Sequence, residues 1–174
     1  HSKRCVAIVQ KISITLLNMD FLIVFFASRL QYIVIAALFA WLIIDRRKEI
    51  RQIVFGALVS AFVSRLVLTE IIRYIWYRPR PFVAYNFTPL IPHDASASFP
   101  SGHAAFFFGI AWFVLFFRPR ASIVFFIAAV LISAARVLAG IHYTTDILGG
   151  AAVGLLGAWV VQRLTIRLFA RTGE

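Results

Sequence analysis

The residues of this chain best suited to chemistry fall in three short polar strings: Arg73-x6-Arg80-Pro81, Pro100-Ser101-Gly102-His103 and Arg136-x5-His142-x3-Asp146. Together they supply guanidiniums to hold a phosphate, two imidazoles to attack it and to move protons, and a carboxylate to orient one imidazole.

His142 and Asp146 stand four residues apart at the start of a predicted helix, on one face and a turn apart. The carboxylate can accept the imidazole Nδ1–H, which fixes the tautomer and leaves Nε2 as an oriented lone pair, as a nucleophilic histidine requires. Alone, the pair reads better as a helix-start carboxylate beside a partly satisfied histidine. In the second string Ser101 suits an N-cap and Gly102 allows close backbone approach. The first N–H groups of the helix then point at an anion, with His103 beside it. Its plain alternative is a capped helix start with a surface histidine. In the first string Arg73 ends a helix and Arg80 follows a proline-stiffened turn, so the two can reach one phosphate from two directions. Forked donors match the equatorial oxygens of a transferring phosphoryl group, in place of a metal. The alternative is a snorkelling interfacial cluster, with Trp76 and Tyr77 as aromatic-belt residues.

These strings sit in an apolar background. Of 174 residues 61% are hydrophobic and 14% charged, with a mean hydropathy of +0.88, a composition suited to a bilayer rather than to water. Apolar runs predict five spans at about 20–44, 51–76, 103–117, 120–140 and 143–168. The third is short, and the first, which carries Arg29 and Gln31, reads as one helix or two. Segment 5–17 is too brief to cross and carries Lys11, so it is expected to lie at the interface. The region 77–102 holds five of the six prolines and is expected to be a functional loop. The fold expected is all-α, a polytopic transmembrane bundle of about five to six helices forming a single integral membrane domain over 1–174.

Cytoplasmic loops carry the excess of Lys and Arg, and Arg46, Arg47, Lys48, Arg51, Arg118, Arg120, Arg163, Arg167 and Arg171 all fall on one side of the predicted spans. The three strings end on the opposite face, so residues distant in sequence are delivered to one membrane surface. Most of the net charge of +11 is explained by that rule and by anionic lipid headgroups, and nucleic acid is not implied. Arginines near Pro81 and His142 are costly at a bilayer and point to function. Cys5 is the only cysteine, which excludes an internal disulfide or a cysteine-built zinc site. The start at His1-Ser2 reads as a processed end and is set aside from fold reasoning.

Taken together, the strings resemble the type 2 phosphatidic acid phosphatase superfamily, whose pattern is Lys-x6-Arg-Pro, Pro-Ser-Gly-His and Ser-Arg-x5-His-x3-Asp. Two departures stand out: Arg73 replaces the usual lysine, turning a point donor into a fork, and Ala135 replaces the serine before Arg136. The resemblance implies a metal-independent phosphatase without cofactor, working through a phosphohistidine. In that scheme His142 attacks phosphorus, Asp146 orients it, and His103 protonates the departing oxygen. Arg73, Arg80, Arg136 and the backbone N–H groups near Ser101 and Gly102 hold the oxygens. Among such proteins the short chain is similar to bacterial undecaprenyl-diphosphatases, which implies a polyprenyl diphosphate substrate and a site facing the periplasm or exterior of an inner (plasma) membrane.

Phosphatidylglycerophosphate and phosphatidate phosphatases carry the same strings. Other relatives act as haloperoxidases, or lose catalytic residues and only bind lipid; the apolar composition disfavours the first and the intact histidines with Asp146 the second. A small transporter, with Arg65 and Glu70 marking a pathway, is a further alternative, although the two suit structural roles inside the bundle better. Gly150-x3-Gly154 reads as a helix-packing stripe; His93 and Asp94 could help recognise a second phosphate but read better as solvated loop residues. The oligomeric state is not legible.

Overall fold

The computed structural model describes residues 17–172, with side chains as far as Arg167. Among these residues all regular structure is helical. Two long helices come first, α1 (Leu17–Ile44) and α2 (Lys48–Ile75). A single short turn of helix, α3 (Pro81–Ala84), precedes α4 (Gly102–Phe117), α5 (Pro119–Leu138) and α6 (Thr144–Thr172). Helices α1, α2 and α5 and the stretch Thr144–Arg167 are long and apolar enough to cross a membrane. The chain is a multi-span membrane protein. The expected interfacial segment 5–17 lies almost entirely outside the described residues.

The predicted spans match these helices to within a few residues. The first span is one helix, not two: Arg29 lies in a π-helical turn at Phe25–Arg29 that interrupts the regular ladder without breaking it, and Gln31, just beyond the turn, donates from Nε2 to Ser28 O at 2.9 Å. A second π turn, Val63–Leu68, lies in α2 and holds Arg65. The region 77–102 is not wholly loop, because Pro81, pre-set at helical φ, starts α3 at its N1 position.

The short span, α4, is the centre of the bundle, packed against α2, α5 and α6. Ala104, Ala105, Phe107, Ile110, Ala111, Phe113 and Val114 are buried along it. In lipid there is no hydrophobic drive between helices, so close packing of small residues must hold them together. Gly150 and Gly154 of α6 do this: a Cβ on Gly150 would stand 2.8 Å from Ala104 Cβ, and one on Gly154 would stand 3.0 Å from the Gly109 nitrogen. Large apolar side chains such as Phe39, Phe55, Ile123 and Leu156 face outward, as a lipid-covered surface requires.

The register between α2 and α4 sets the depth of the α4 N-terminus in the bundle. At one end Arg118 Nη2 donates to Glu49 Oε2 at 2.7 Å. At the other end the Arg65 side chain lies against Gly102. Sixteen residues separate Glu49 from Arg65, and sixteen separate Gly102 from Arg118. Helix α2 then continues to Ile75, ten residues and about 15 Å beyond Arg65, so the start of α4 is recessed below the rim of the bundle.

Candidate active site

Each of the three strings contributes side chains around the start of α4. Helix α2 brings Arg73, the turn into α3 brings Arg80, the start of α4 brings Ser101, Gly102 and His103, the last turn of α5 brings Arg136, and the first turn of α6 brings Asp146. His142 lies between the last two, and Gly140 puts it there. Its φ of +77° ends α5 in the left-handed conformation, with Gly140 N–H donating to Val137 O at 2.9 Å and Ile141 N–H to Arg136 O at 3.2 Å. A Cβ at this position would also run into the Phe87 ring.

Asp146 is fully buried and is the hub of the arrangement. Its Oδ2 accepts from Ser98 Oγ at 2.5 Å, from the Tyr143 N–H at 2.9 Å and from His142 Nδ1 at 3.4 Å. Its Oδ1 accepts from Arg78 Nη1 at 2.9 Å. On the other side of the ring, Arg80 Nη1 donates to His142 Nε2 at 3.2 Å. Burial pushes the His142 pKa down to about 4, opposed by the Asp146 hydrogen bond and assisted by the Arg80 and Arg136 charges. The imidazole is therefore neutral at pH 7, with its proton on Nδ1 and its lone pair on Nε2.

Arg80 is 1% exposed and held on three further oxygens: Ile141 O at 2.9 Å, Ser96 Oγ at 3.2 Å and Ala97 O at 3.3 Å. Burial, then the nearby Arg73 charge, lowers its pKa to about 10, which still leaves it protonated at neutral pH. Arg136 is 5% exposed; its Nη1 donates to Ala27 O inside the first π turn at 3.1 Å, and its Nη2 to His93 Nε2 at 3.3 Å. Arg73 places Nε and Nη2 on Pro100 O, at 3.3 and 3.0 Å, and Nη1 on Glu70 Oε1 at 3.1 Å. The Nε–H groups of Arg80 and Arg136 are buried and have no partner among the described residues. Guanidiniums with buried donors left unspent can hold an anion.

Ser101 is the N-cap of α4, its Oγ accepting from the Ala104 N–H at 3.5 Å. Its own N–H is spent on Asp146 O at 2.9 Å, which ties the start of α4 to the start of α6. The open donors of the first turn are thus those of Gly102 and His103. The half-buried His103 ring lies 6.5 Å from that of Phe107. It also borders a cavity of about 250 Å³ shared with Gln31, Tyr32 and Arg65.

Three participants were not assigned to the site by sequence. Ser98 belongs to a run of small residues that gives no chemical signal. Arg78 binds Thr145 Oγ1 at 2.7 Å as well as Asp146, and its guanidinium lies 4.0 Å from the Tyr143 ring centre. Its position in Arg78-Pro79-Arg80-Pro81, a second guanidinium beside the same stiff turn, was the available clue. The expectation that His93 is a solvated loop residue is corrected: it is half-buried, its ring centre is 6.5 Å from that of His142, and it accepts from Arg136. Burial and then Arg80 lower its pKa, so it is a neutral acceptor that helps hold Arg136.

Residues 53–169, which contain all three strings, match the PAP2 superfamily. The undecaprenyl-diphosphatase BcrC of Bacillus subtilis is 33% identical over 103 residues, covering 59% of this chain and 53% of that protein, so the match spans about half the length of the curated relative. The crystal structure of LpxE from Aquifex aeolicus superposes with a TM-score of 0.69 at 25% identity, over 84% of this chain and 86% of that one. A transmembrane PAP2-type phosphatidylglycerolphosphate phosphatase from Bacillus subtilis superposes with a TM-score of 0.57 at 25% identity, over 86% and 76%.

Proposed function

Because the chain belongs to the PAP2 superfamily, we propose that it is a metal-independent lipid phosphatase that hydrolyses undecaprenyl diphosphate to undecaprenyl phosphate and phosphate. The observation that carries this reading is His142: a buried neutral imidazole with Nδ1 toward Asp146 and Nε2 toward Arg80, beside two guanidiniums that each keep an unspent buried N–H.

In the proposed reaction the terminal phosphate enters among Arg73, Arg80 and Arg136. The Ser101 cap presents the Gly102 and His103 N–H groups to its oxygens. His142 Nε2 attacks phosphorus, and the bond to the bridging oxygen breaks as His103 gives that oxygen a proton. Asp146 holds the His142 ring and offsets the positive charge it gains. Water then attacks the phosphohistidine, His103 takes up its proton, and phosphate leaves with His142 restored. The cationic clamp does for the equatorial oxygens what a metal does elsewhere.

A recessed polar site walled by apolar helices suits a phosphate head whose tail stays in the bilayer. The likeness to BcrC supports the polyprenyl diphosphate, and the likeness to the phosphatidylglycerolphosphate phosphatase supports a second reading, a phospholipid monoester. Phosphate release by purified protein from undecaprenyl diphosphate, phosphatidylglycerophosphate and phosphatidate, followed by thin-layer chromatography, decides between them. Lipid flux across liposomes without phosphate release would instead favour transport. The chain is further proposed to work as a single domain in a plasma (inner) membrane with its site on the periplasmic or extracellular face. The gathering of Arg46, Arg47, Lys48, Arg118 and Arg120 at the far end of the bundle supports that orientation.

A further inference from the structure

The cavity beside His103 is not used by the chemistry above. It lies between α1, α2 and α4 and is lined by the polar side chains Gln31, Arg65 and His103 and by Tyr32, Phe106 and Phe107. Arg65 is out of place as a packing residue: it sits in a π turn of α2, deep enough to face the start of α4. A Cβ on Gly102 would stand 2.8 Å from Arg65 Cζ, so the end of the Arg65 side chain lies against the backbone that presents the phosphate-facing N–H groups. Glu70 pairs with both Arg65 and Arg73, joining this cavity electrically to the catalytic clamp. Glycine at 102 therefore serves a second purpose besides backbone approach to an anion, since a side chain there would make Arg65 shift.

We infer that Arg65 and Gln31 form a subsite for the lipid-proximal phosphate of a diphosphate lipid, the phosphate that departs with the tail. This rests on the phosphatase reading above. When His142 takes the terminal phosphorus, the bond that breaks joins it to the bridging oxygen, and that oxygen leaves on the lipid-proximal phosphate with the proton from His103. The leaving group must then lie on the His103 side, and His103 borders this cavity. A phosphate there meets a cation and an amide donor, and its chain continues past half-buried Phe106 and exposed Tyr32 towards lipid. The same cation offsets charge on the departing phosphate monoester. In a monophosphate substrate the leaving oxygen is bonded to carbon, and the subsite has nothing to bind. Arg65 is therefore a residue that selects diphosphates over monophosphates.

The test compares kcat/KM for farnesyl diphosphate and farnesyl monophosphate with purified full chain in detergent. Arg65→Gln should lower the diphosphate-to-monophosphate ratio roughly 10- to 100-fold, as expected for losing a charge-assisted contact made by one substrate alone. Arg65→Lys should recover part of the ratio, and Gln31→Leu should lower it by less. A ratio unchanged in these variants, whether both activities fall together or neither falls, overturns the subsite. If Arg65→Gln does not yield folded protein by gel filtration, Arg65→Lys and Gln31→Leu carry the same decision. A wild-type protein that hydrolyses the monophosphate but not the diphosphate overturns the subsite and leaves the phosphatase reading standing. One that hydrolyses neither, nor any phospholipid monoester, removes the phosphatase reading itself.

Discussion

Arg80 Nη1 stands 3.2 Å from His142 Nε2, on the lone pair that the proposed reaction needs. The guanidinium thus occupies the nucleophile until something better arrives. A phosphate oxygen is a stronger acceptor for Arg80 than a neutral imidazole, so substrate binding itself frees Nε2 while Arg80 turns to the equatorial oxygens. The other three bonds of Arg80, to Ile141, Ser96 and Ala97, fix the position from which it makes that exchange.

The nucleophile is tested first. His142→Ala should abolish turnover while leaving a folded protein, because Asp146 keeps Ser98, Arg78 and the Tyr143 N–H as partners. Wild-type protein mixed with labelled substrate and quenched in alkali should carry phosphate on one histidine, and the variant none. Near-normal activity in the variant would remove the assignment.

The Asp146 hub predicts a graded pair. Asp146→Asn should cost roughly 10²- to 10⁴-fold in kcat, because an amide no longer fixes the Nδ1–H tautomer or stabilises the imidazolium. Ser98→Ala removes one neutral contributor among four and should cost about tenfold or less. Steady-state kinetics of the two variants check the order; a Ser98 effect equal to that of Asp146 would mean the hydroxyl acts on substrate directly.

How far the sequence revealed this site depends on the kind of signal each residue carried. His142, Asp146, His103, Arg80 and Arg136 stand at fixed spacings beside recognisable turns, and their chemistry survives a reading in one dimension. The five helices were legible too, since a bilayer demands long apolar runs and leaves little room for other solutions. Ser98 and His93 were not, because a serine in a run of small residues and a histidine in a proline-rich loop have no periodicity to betray their direction. Their roles arise from how the loop folds back, tied by the Ser98 N–H to Arg78 O and the Leu90 N–H to Ala139 O. The depth of Arg65 was hidden for a similar reason: it depends on the register of α2 against α4, which is a tertiary quantity.

Acid should act on His142 far below the usual histidine range. The ordinary value is 6.5 and the folded value about 4, so the lone pair stays available through mildly acid pH and is lost as pH falls through the folded value. The unfolded chain takes up this proton near 6.5 and the native one not until about 4. Stability therefore declines as pH falls through that window. A nitrogen-15 NMR titration of the histidine rings should show His142 neutral at pH 6 with the proton on Nδ1; titration near 6.5 would contradict the buried, neutral nucleophile.

Orientation is open to direct labelling. With Cys5 changed to serine, single cysteines at the exposed positions Ala95 and Lys48 should react with a membrane-impermeant maleimide from opposite sides of the membrane, Ala95 from outside. Equal reactivity of both from outside would overturn the arrangement.

The anion clamp makes the last prediction. Buried guanidiniums surround the proposed phosphorus position, and a trigonal-bipyramidal oxyanion places three equatorial oxygens where Arg73, Arg80 and Arg136 converge and an apical position at His142 Nε2. Vanadate should therefore inhibit competitively and block phosphohistidine trapping, while EDTA should leave the rate within about twofold, since the charge is met by side chains that no chelator removes. The two reagents separate the causes: loss of activity in EDTA restored by magnesium would assign the equatorial charge to a metal. Indifference to millimolar vanadate would mean that the arginines and His142 do not surround one phosphorus.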